Sequence, residues 1–291
     1  MNKPRDAGSA PTYVLGHSDR ELARLTAQAR LIDPITRRFF RDAGIAPGMR
    51  VLDVGSGAGD VAFLAADLVG DTGEVVGADR VPAALEAARA RATSRSQRNV
   101  SFRDGDPAEM AFERPFDVAI GRYVLQFQSE PAAMLRKIAR HVRPEGLIVF
   151  HEIDHSGVGS SPPAPTYDRC CRWVIETLRR HGTETQMGIK LHSTFVAAGL
   201  PAPRMRLEAL LGGGANGSDC TSLVAQLVGT LLPEMERLGV ATAADVGLET
   251  LAERMSKEAF VNSSVILGHW QIGAWCRVPK GGVWPACERG S

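Results

Sequence analysis

From residue 47 to residue 153, short apolar runs alternate with stretches of helical periodicity, and few folds accommodate that rhythm. The runs cover 51–55, 74–79, 100–104, 116–121 and 147–153, and helical stretches at 59–69, 82–93 and 130–142 lie between them. Runs that are apolar at nearly every position belong to strands covered on both faces, and strands alternating with helices pair in parallel. The expected class is α/β, a doubly wound and mostly parallel sheet whose ligands sit outside the carboxyl ends of the strands. A chain of 291 residues can hold one such domain with an elaboration, or two smaller ones.

Outside this stretch the rhythm breaks. Residues 1–12 carry Pro, Gly and Ser and are expected to be loose. Ser18 and Glu21 have capping-box spacing ahead of Leu22, Leu25, Ala29 and Ile32. Pro34 is expected to interrupt that helix, with a second one running from Ile35 to Ala43 and ending at Gly44. Beyond 154 a loop (156–165) leads to helices over 166–181 and near 188–198, then a strand near 204–211. A glycine-rich loop at 212–219 and helices near 219–237 and 248–258 follow, and Ser264 to Val278 alternates as an antiparallel edge strand would.

Composition narrows the function classes. The net charge is +1 and no basic block exceeds the pair Arg179-Arg180, so the electrostatic footprint of a nucleic-acid binder is missing. No apolar stretch is long enough for a membrane span, and the first residues lack a signal-peptide core, which leads us to expect a cytoplasmic protein. The cysteines at 170, 171, 220, 276 and 287 show no C-x-x-C spacing and are odd in number, against a disulfide framework or a zinc ribbon. No metal is expected.

The chemistry starts at the first turn. Val51 to Asp60 reads VLDVGSGAGD, a strand entering a turn with Gly55, Gly57 and Gly59, where the absence of Cβ atoms lets a ligand approach the backbone. A dinucleotide fingerprint places a third glycine where this chain has Asp60. A carboxylate there repels a pyrophosphate but suits a ligand bearing an ammonium and a sulfonium. Asp79, at the end of the second strand with Arg80 beside it, either accepts ribose hydroxyls or caps the next helix. In the segment FRDGDPAEM (102–110), Gly105, Asp106 and Pro107 either face an adenine or open a short helix. Two more segments follow at strand ends, FDVAIGRYVL (116–125) and RPEGL (143–147).

These five motifs, in this order over roughly 45–153, resemble those of the class I S-adenosylmethionine (SAM) dependent methyltransferases. The resemblance implies a Rossmann-like sheet of seven strands with an antiparallel last one. It implies SAM as cofactor, held by Asp53, Gly55, Ser56, Gly57, Gly59, Asp79, Arg80, Gly105, Asp106, Pro107, Gly121 and Arg122. In related enzymes an N-terminal helical region folds over the cofactor, which adds Tyr13 and Gln28. Glu145 stands where the family has glycine, on the side away from the cofactor.

The organisation implied is an N-terminal helical segment (1–46), a methyltransferase domain (47–278) and a flexible tail (279–291). Within the domain, 155–187 and 213–262 are read as a helical cap over the pocket. The expected reaction is methyl transfer to an O, N or C nucleophile of a small organic molecule, plausible in secondary or quinone-like metabolism. Candidate catalytic residues are His151, Glu152 and His155 at the pocket rim, and Arg122, which either holds the acceptor or forms a surface salt bridge. Tyr123, Tyr167, Trp173, His192 and Trp270 are candidates for the acceptor pocket. The partner expected is a small-molecule acceptor, with neither nucleic acid nor membrane, and a homodimer is left open. Two rivals remain: a nicotinamide-dependent oxidoreductase on a Rossmann sheet, and a non-catalytic SAM-binding regulator of the same fold.

Overall fold

Alternating side chains of the central strands part to two faces, and that division organises the computed structural model, which describes residues 19–213 and 218–281. The helices are α1 (Asp19–Ala43), α2 (Asp60–Val69), α3 (Pro82–Ser94), α4 (Pro131–Ala139), α5 (Pro165–Arg180), α6 (Met187–Ala197), α7 (Ser218–Arg237), α8 (Ala243–Val246) and α9 (Leu248–Val261). The strands are β1 (Arg50–Val54), β2 (Glu74–Asp79), β3 (Val100–Asp104), β4 (Phe116–Arg122), β5 (Val142–Asp154), β6 (Gly159–Ser161), β7 (Arg204–Gly213) and β8 (Val265–Arg277). Val51, Val75, Val118, Ile120 and Val149 share one apolar cluster with Phe40 of α1, Phe63 of α2 and Leu85 of α3. Leu52, Val76, Ile148 and Phe150 turn the other way, onto Leu135 of α4 and Phe195 of α6. Burial of each such large side chain is worth about 1.5–3 kcal/mol, which is why a strand pattern apolar at every position specifies a two-sided sheet.

The order β3-β2-β1-β4-β5 is parallel throughout, and β8 continues it antiparallel to β5. The seven-stranded plan is present, with short β6 added to give eight strands. β8 is not the edge strand its alternation suggested. Residues 270–277 pair with β5, 265–267 pair with β6, and the opposite edge carries β7. Its buried residues Ile272, Ala274 and Trp275 serve both faces, so only an interior place covers them.

Pro34 does not break the first helix. It lies inside α1, because Ile32, Ile35, Phe39 and Phe40 on either side of it are all buried and only one continuous helix seats them together. Segment 143–146 is likewise no free turn but part of β5, with a register shift against β4. Glu145 there has φ 63, a left-handed conformation that a Cβ disfavours by about 1–2 kcal/mol. Glu145→Gly is therefore expected to stabilise the protein by about 0.5–1 kcal/mol after the extra chain entropy of glycine is deducted. Chemical denaturation reads this, and a lower midpoint would refute it.

Helices α5, α7, α8 and α9 bury a separate apolar cluster that includes Tyr167, Val174, Val228, Met235, Val246, Leu251 and Met255. α6 belongs instead to the main sheet, where Met187, Leu191 and Phe195 pack under β5 and β8. No described helix is long and apolar enough to cross a membrane.

Candidate functional site

A cavity of about 450 Å³ runs across the carboxyl ends of the strands, from the turns after β1 and β2 to the ends of β4 and β5. β1 and β4 are neighbours whose connections leave in opposite directions, and such a crevice opens where the strand order reverses.

At one end lies the glycine turn. Gly55, Ser56, Gly57, Ala58 and Asp60 line the cavity. Gly57 has φ 50 and the place of its missing Cβ is open for 4 Å around, so the backbone itself is the wall a ligand meets. Asp79 lines the same end and braces the turn: its Oδ2 accepts the Gly57 N–H (2.8 Å) and its Oδ1 accepts the Val81 N–H (2.9 Å). Asp79 therefore does not cap α3, whose N-cap residue is Val81 with no side-chain cap bond; it braces the loop ahead of that helix while lining the cavity. Asp106 accepts the Ala108 N–H at 2.9 Å and is ion-paired with Arg80 across the opening. Asp60 lines the cavity, but its charge is met by Arg91 at 2.6 Å, whose guanidinium also holds the Ala58 carbonyl. It locks the turn more than it offers a free charge.

Beneath the turn, Asp53 is buried, and neither of its carboxylate oxygens has a hydrogen-bond partner among the described residues; the Ser56 hydroxyl is in the same condition. Burial pushes the Asp53 carboxyl well above the usual carboxylate range, against the pull of the Arg122 guanidinium and a weak one from the Ala62 amide. The open, glycine-walled turn, the orphaned Ser56 hydroxyl and Asp79, which has no side-chain cation bonded to it among the described residues, fit a ligand whose amino-acid end is cationic. They do not fit a polyphosphate.

The other end is more apolar. Ala29 of α1, Tyr123, Phe127, Ile153, Leu178 of α5 and Leu227 of α7 line it, together with Arg122, Gln126 and His155. Arg122 donates to Asp33 Oδ1 (2.7 Å) and to Thr36 Oγ1 (3.0 Å), tying β4 to α1. Arg122 is itself mostly buried, and the salt bridge it forms is with the half-exposed Asp33. Tyr123 has φ 59 and donates its hydroxyl to Gln271 Oε1. The segment after it is fixed by Glu152, whose Oε1 accepts the N–H groups of Val124 (2.9 Å) and Leu125 (2.8 Å).

Several expected site residues sit elsewhere. His151 is not at the rim: it is fully buried, held at Nδ1 by Thr36 (3.1 Å) and at Nε2 by Gln271 (2.9 Å), and Phe39 meets its ring edge-on. Burial, aided by Arg122, pushes it down to about 3, and with both ring nitrogens bonded and none facing the cavity it has no free nitrogen to offer as a base. Glu152 is fully buried and occupied by the main chain. Of the three candidates only His155 lines the cavity, and neither of its ring nitrogens has a partner among the described residues. Its neighbour is His269, edge-on at 4.5 Å.

Asp53, Gly59, Gly105 and Gly121 do not line the cavity; the space a Cβ would take at Gly121 is filled by the Phe150 ring. Tyr167 is core, with its hydroxyl on the Leu267 carbonyl, and Trp173 packs on the same helical cluster. His192 is exposed on α6, and Trp270 packs under Gly157. Gln28 is described only as part of α1, and Tyr13 lies outside the described residues. Gln126 and Phe127, in the turn that Glu152 fixes after β4, and Leu178 and Leu227, brought in by packing of α5 and α7, carried no local signal.

Fold and cradle together define a SAM-type site on a methyltransferase sheet. Residues 45–186 match the methyltransferase-domain family, and over this region the chain is similar to SAM-dependent methyltransferases. It is 38% identical to nocamycin O-methyltransferase of Saccharothrix syringae over 196 residues, 66% of this chain and 63% of that one. Over 118 residues it is 36% identical to aklanonic acid methyltransferase DauC of Streptomyces, covering 40% of this chain and 54% of that one. Demethylmenaquinone methyltransferase of Lactococcus lactis is 31% identical over 131 residues, 45% of this chain and 50% of that one. The chain thus spans between 50% and 63% of the length of these three relatives. In fold it resembles the YcgJ protein of Bacillus subtilis, with TM-score 0.52 at 19% identity over 82% of this chain and 96% of that one.

Proposed function

We propose that this chain transfers a methyl group from SAM to a small organic molecule held at the apolar end of the cavity. The observation that carries this reading is the continuity of one cavity, from a cradle suited to a cationic amino-acid end to an apolar chamber at the ends of β4 and β5. When bound, SAM supplies an electrophilic methyl carbon whose bond to sulfur breaks as the acceptor's bond forms. Asp79 accepts the ribose hydroxyls, Asp106 receives the adenine amine on the lone pairs that Arg80 and Ala108 leave, and Ser56 and Gly57 hold the amino-acid end. Ala29, Leu178 and Leu227 exclude water and seat an apolar skeleton, so residues 155–187 and 213–262 serve as a cap through α5 and α7.

Where the acceptor must lose a proton, His155 takes it. Burial, with His269 beside it, holds this imidazole well below its ordinary value, so it is neutral but a weak base, suited to an acceptor whose own proton is acidic. Among the described residues no hydrogen bond takes either ring nitrogen, which leaves them for a bound acceptor. The names of the relatives, an O-methyltransferase of nocamycin and a methyltransferase of aklanonic acid, favour polycyclic or polyketide-like acceptors. Arsenite methyltransferase of Halobacterium salinarum is also similar, 34% identical over 112 residues. Thiol chemistry needs accessible thiolates, whereas Cys170, Cys171, Cys220 and Cys276 are buried and their thiols pushed up to about 11 or 12.

A panel of phenolic, carboxylic and quinol acceptors, scored by S-adenosylhomocysteine formed, tests the reading. His155→Ala is expected to lower kcat about 100-fold or more on a protic acceptor while S-adenosylhomocysteine affinity holds. Full activity of that variant would leave alignment as the whole mechanism. Calorimetry with NADH against SAM decides against or for the oxidoreductase rival. Tight S-adenosylhomocysteine binding with no turnover across the panel would favour the regulator.

A further inference from the structure

We infer that His151 is a positioning residue for the transfer end, holding Arg122 and Tyr123 in place from within the sheet through Thr36 on one ring nitrogen and Gln271 on the other. The directions of the hydrogen bonds carry this. Gln271 Nε2 donates to the His269 carbonyl (3.2 Å), which turns Oε1 toward both the Tyr123 hydroxyl (2.5 Å) and His151 Nε2 (2.9 Å). A carbonyl oxygen cannot donate, so both neighbours donate to it. His151 is thereby the Nε2–H tautomer, and Nδ1 is left as an acceptor. The Thr36 hydroxyl supplies the matching donor at 3.1 Å, with the Ile32 carbonyl at 3.2 Å as its competing acceptor, and its oxygen accepts from Arg122 at 3.0 Å.

Every link of this rail is on a different element: Arg122 closes β4, Thr36 is on α1, His151 on β5 and Gln271 on β8. Its two ends, Arg122 and Tyr123, line the cavity, and α1 contributes Ala29 to the same wall. The groups facing the ring are Arg122, Tyr123, Thr36, Gln271 and Phe39. The imidazole serves by having one nitrogen of each polarity. That is a property phenylalanine or leucine cannot supply.

Nitrogen-15 NMR of the full chain with S-adenosylhomocysteine tests this, with tyrosine Cζ labelled by carbon-13. Expected are a protonated Nε2 and bare Nδ1 on His151, unchanged between about pH 5 and pH 9. His151→Leu should move the Tyr123 Cζ resonance, and His151→Gln, whose amide can donate to Gln271, should return it. S-adenosylhomocysteine affinity should stay within about twofold in both variants, while turnover of an acceptor found in the panel falls about tenfold in His151→Leu and recovers in His151→Gln. An Nδ1–H tautomer, a His151 that titrates in that range, or an unmoved Tyr123 resonance in folded His151→Leu would each overturn the inference. The turnover and S-adenosylhomocysteine-affinity arms rest on the methyltransferase reading, which fails separately if the wild-type chain does not bind S-adenosylhomocysteine; the tautomer and the Tyr123 resonance are read without the ligand as well.

Discussion

Asp79→Ala is expected to weaken SAM and S-adenosylhomocysteine binding by about 1.5–3 kcal/mol, roughly 10- to 150-fold in Kd. Two losses combine. The ribose hydroxyls lose an ionised acceptor, and the Gly57 and Val81 N–H groups lose the oxygens that hold the turn in its ligand-ready form. Asp79→Asn keeps one acceptor oxygen and should fall between. Titration calorimetry separates the three proteins, and an unchanged Kd in a folded alanine variant would remove Asp79 from the cofactor site.

Glu152→Leu is expected to cost about 3–5 kcal/mol of stability, a large part of what a domain has. The side chain is fully buried, and its loss strands the amides of Val124 and Leu125 just after the left-handed Tyr123. The same group gives a pH signature. Burial raises its carboxyl from an ordinary 4.5 to about 7, with the amides of residues 124–126 pulling back. The folded state thus binds this proton more readily than the unfolded one. Its contribution is fully present below about pH 4.5 and is lost as pH rises through about 7. Denaturation of the wild type against Glu152→Gln across that window should show a steeper fall for the wild type. Parallel curves would mean that Glu152 stays ionised throughout.

The parts of the molecule legible in the sequence are those set by near neighbours along the chain. Strand runs such as Val51–Val54 and Phe116–Gly121 announce themselves through apolar side chains at every position, and Asp79 and Asp106 are found by their place just after a strand end. Residues that depend on distant packing were not legible. The interruption expected at Pro34 hid the consequence that matters most for the site: one unbroken α1 lays Thr36 and Phe39 on His151. His151 is covered while His155, beyond the strand end, stays at the cavity. Tyr167 and Trp173 were misread for a related reason, since the helical cluster they pack in has no periodicity linking it to the sheet.

The double pairing of β8 bears on how the molecule comes to exist. β5 meets its antiparallel neighbour only when residues from the far end of the described chain arrive, as in the pairing of Leu147 with Arg277. Such sequence-distant closures slow folding, and until this one forms, β5 presents an apolar strand edge that invites intermolecular association. The stretch that matches the family, residues 45–186, contains the glycine turn, Asp79 and Asp106 yet neither β7 nor β8. The sheet that β5 belongs to is completed only by strands outside that stretch.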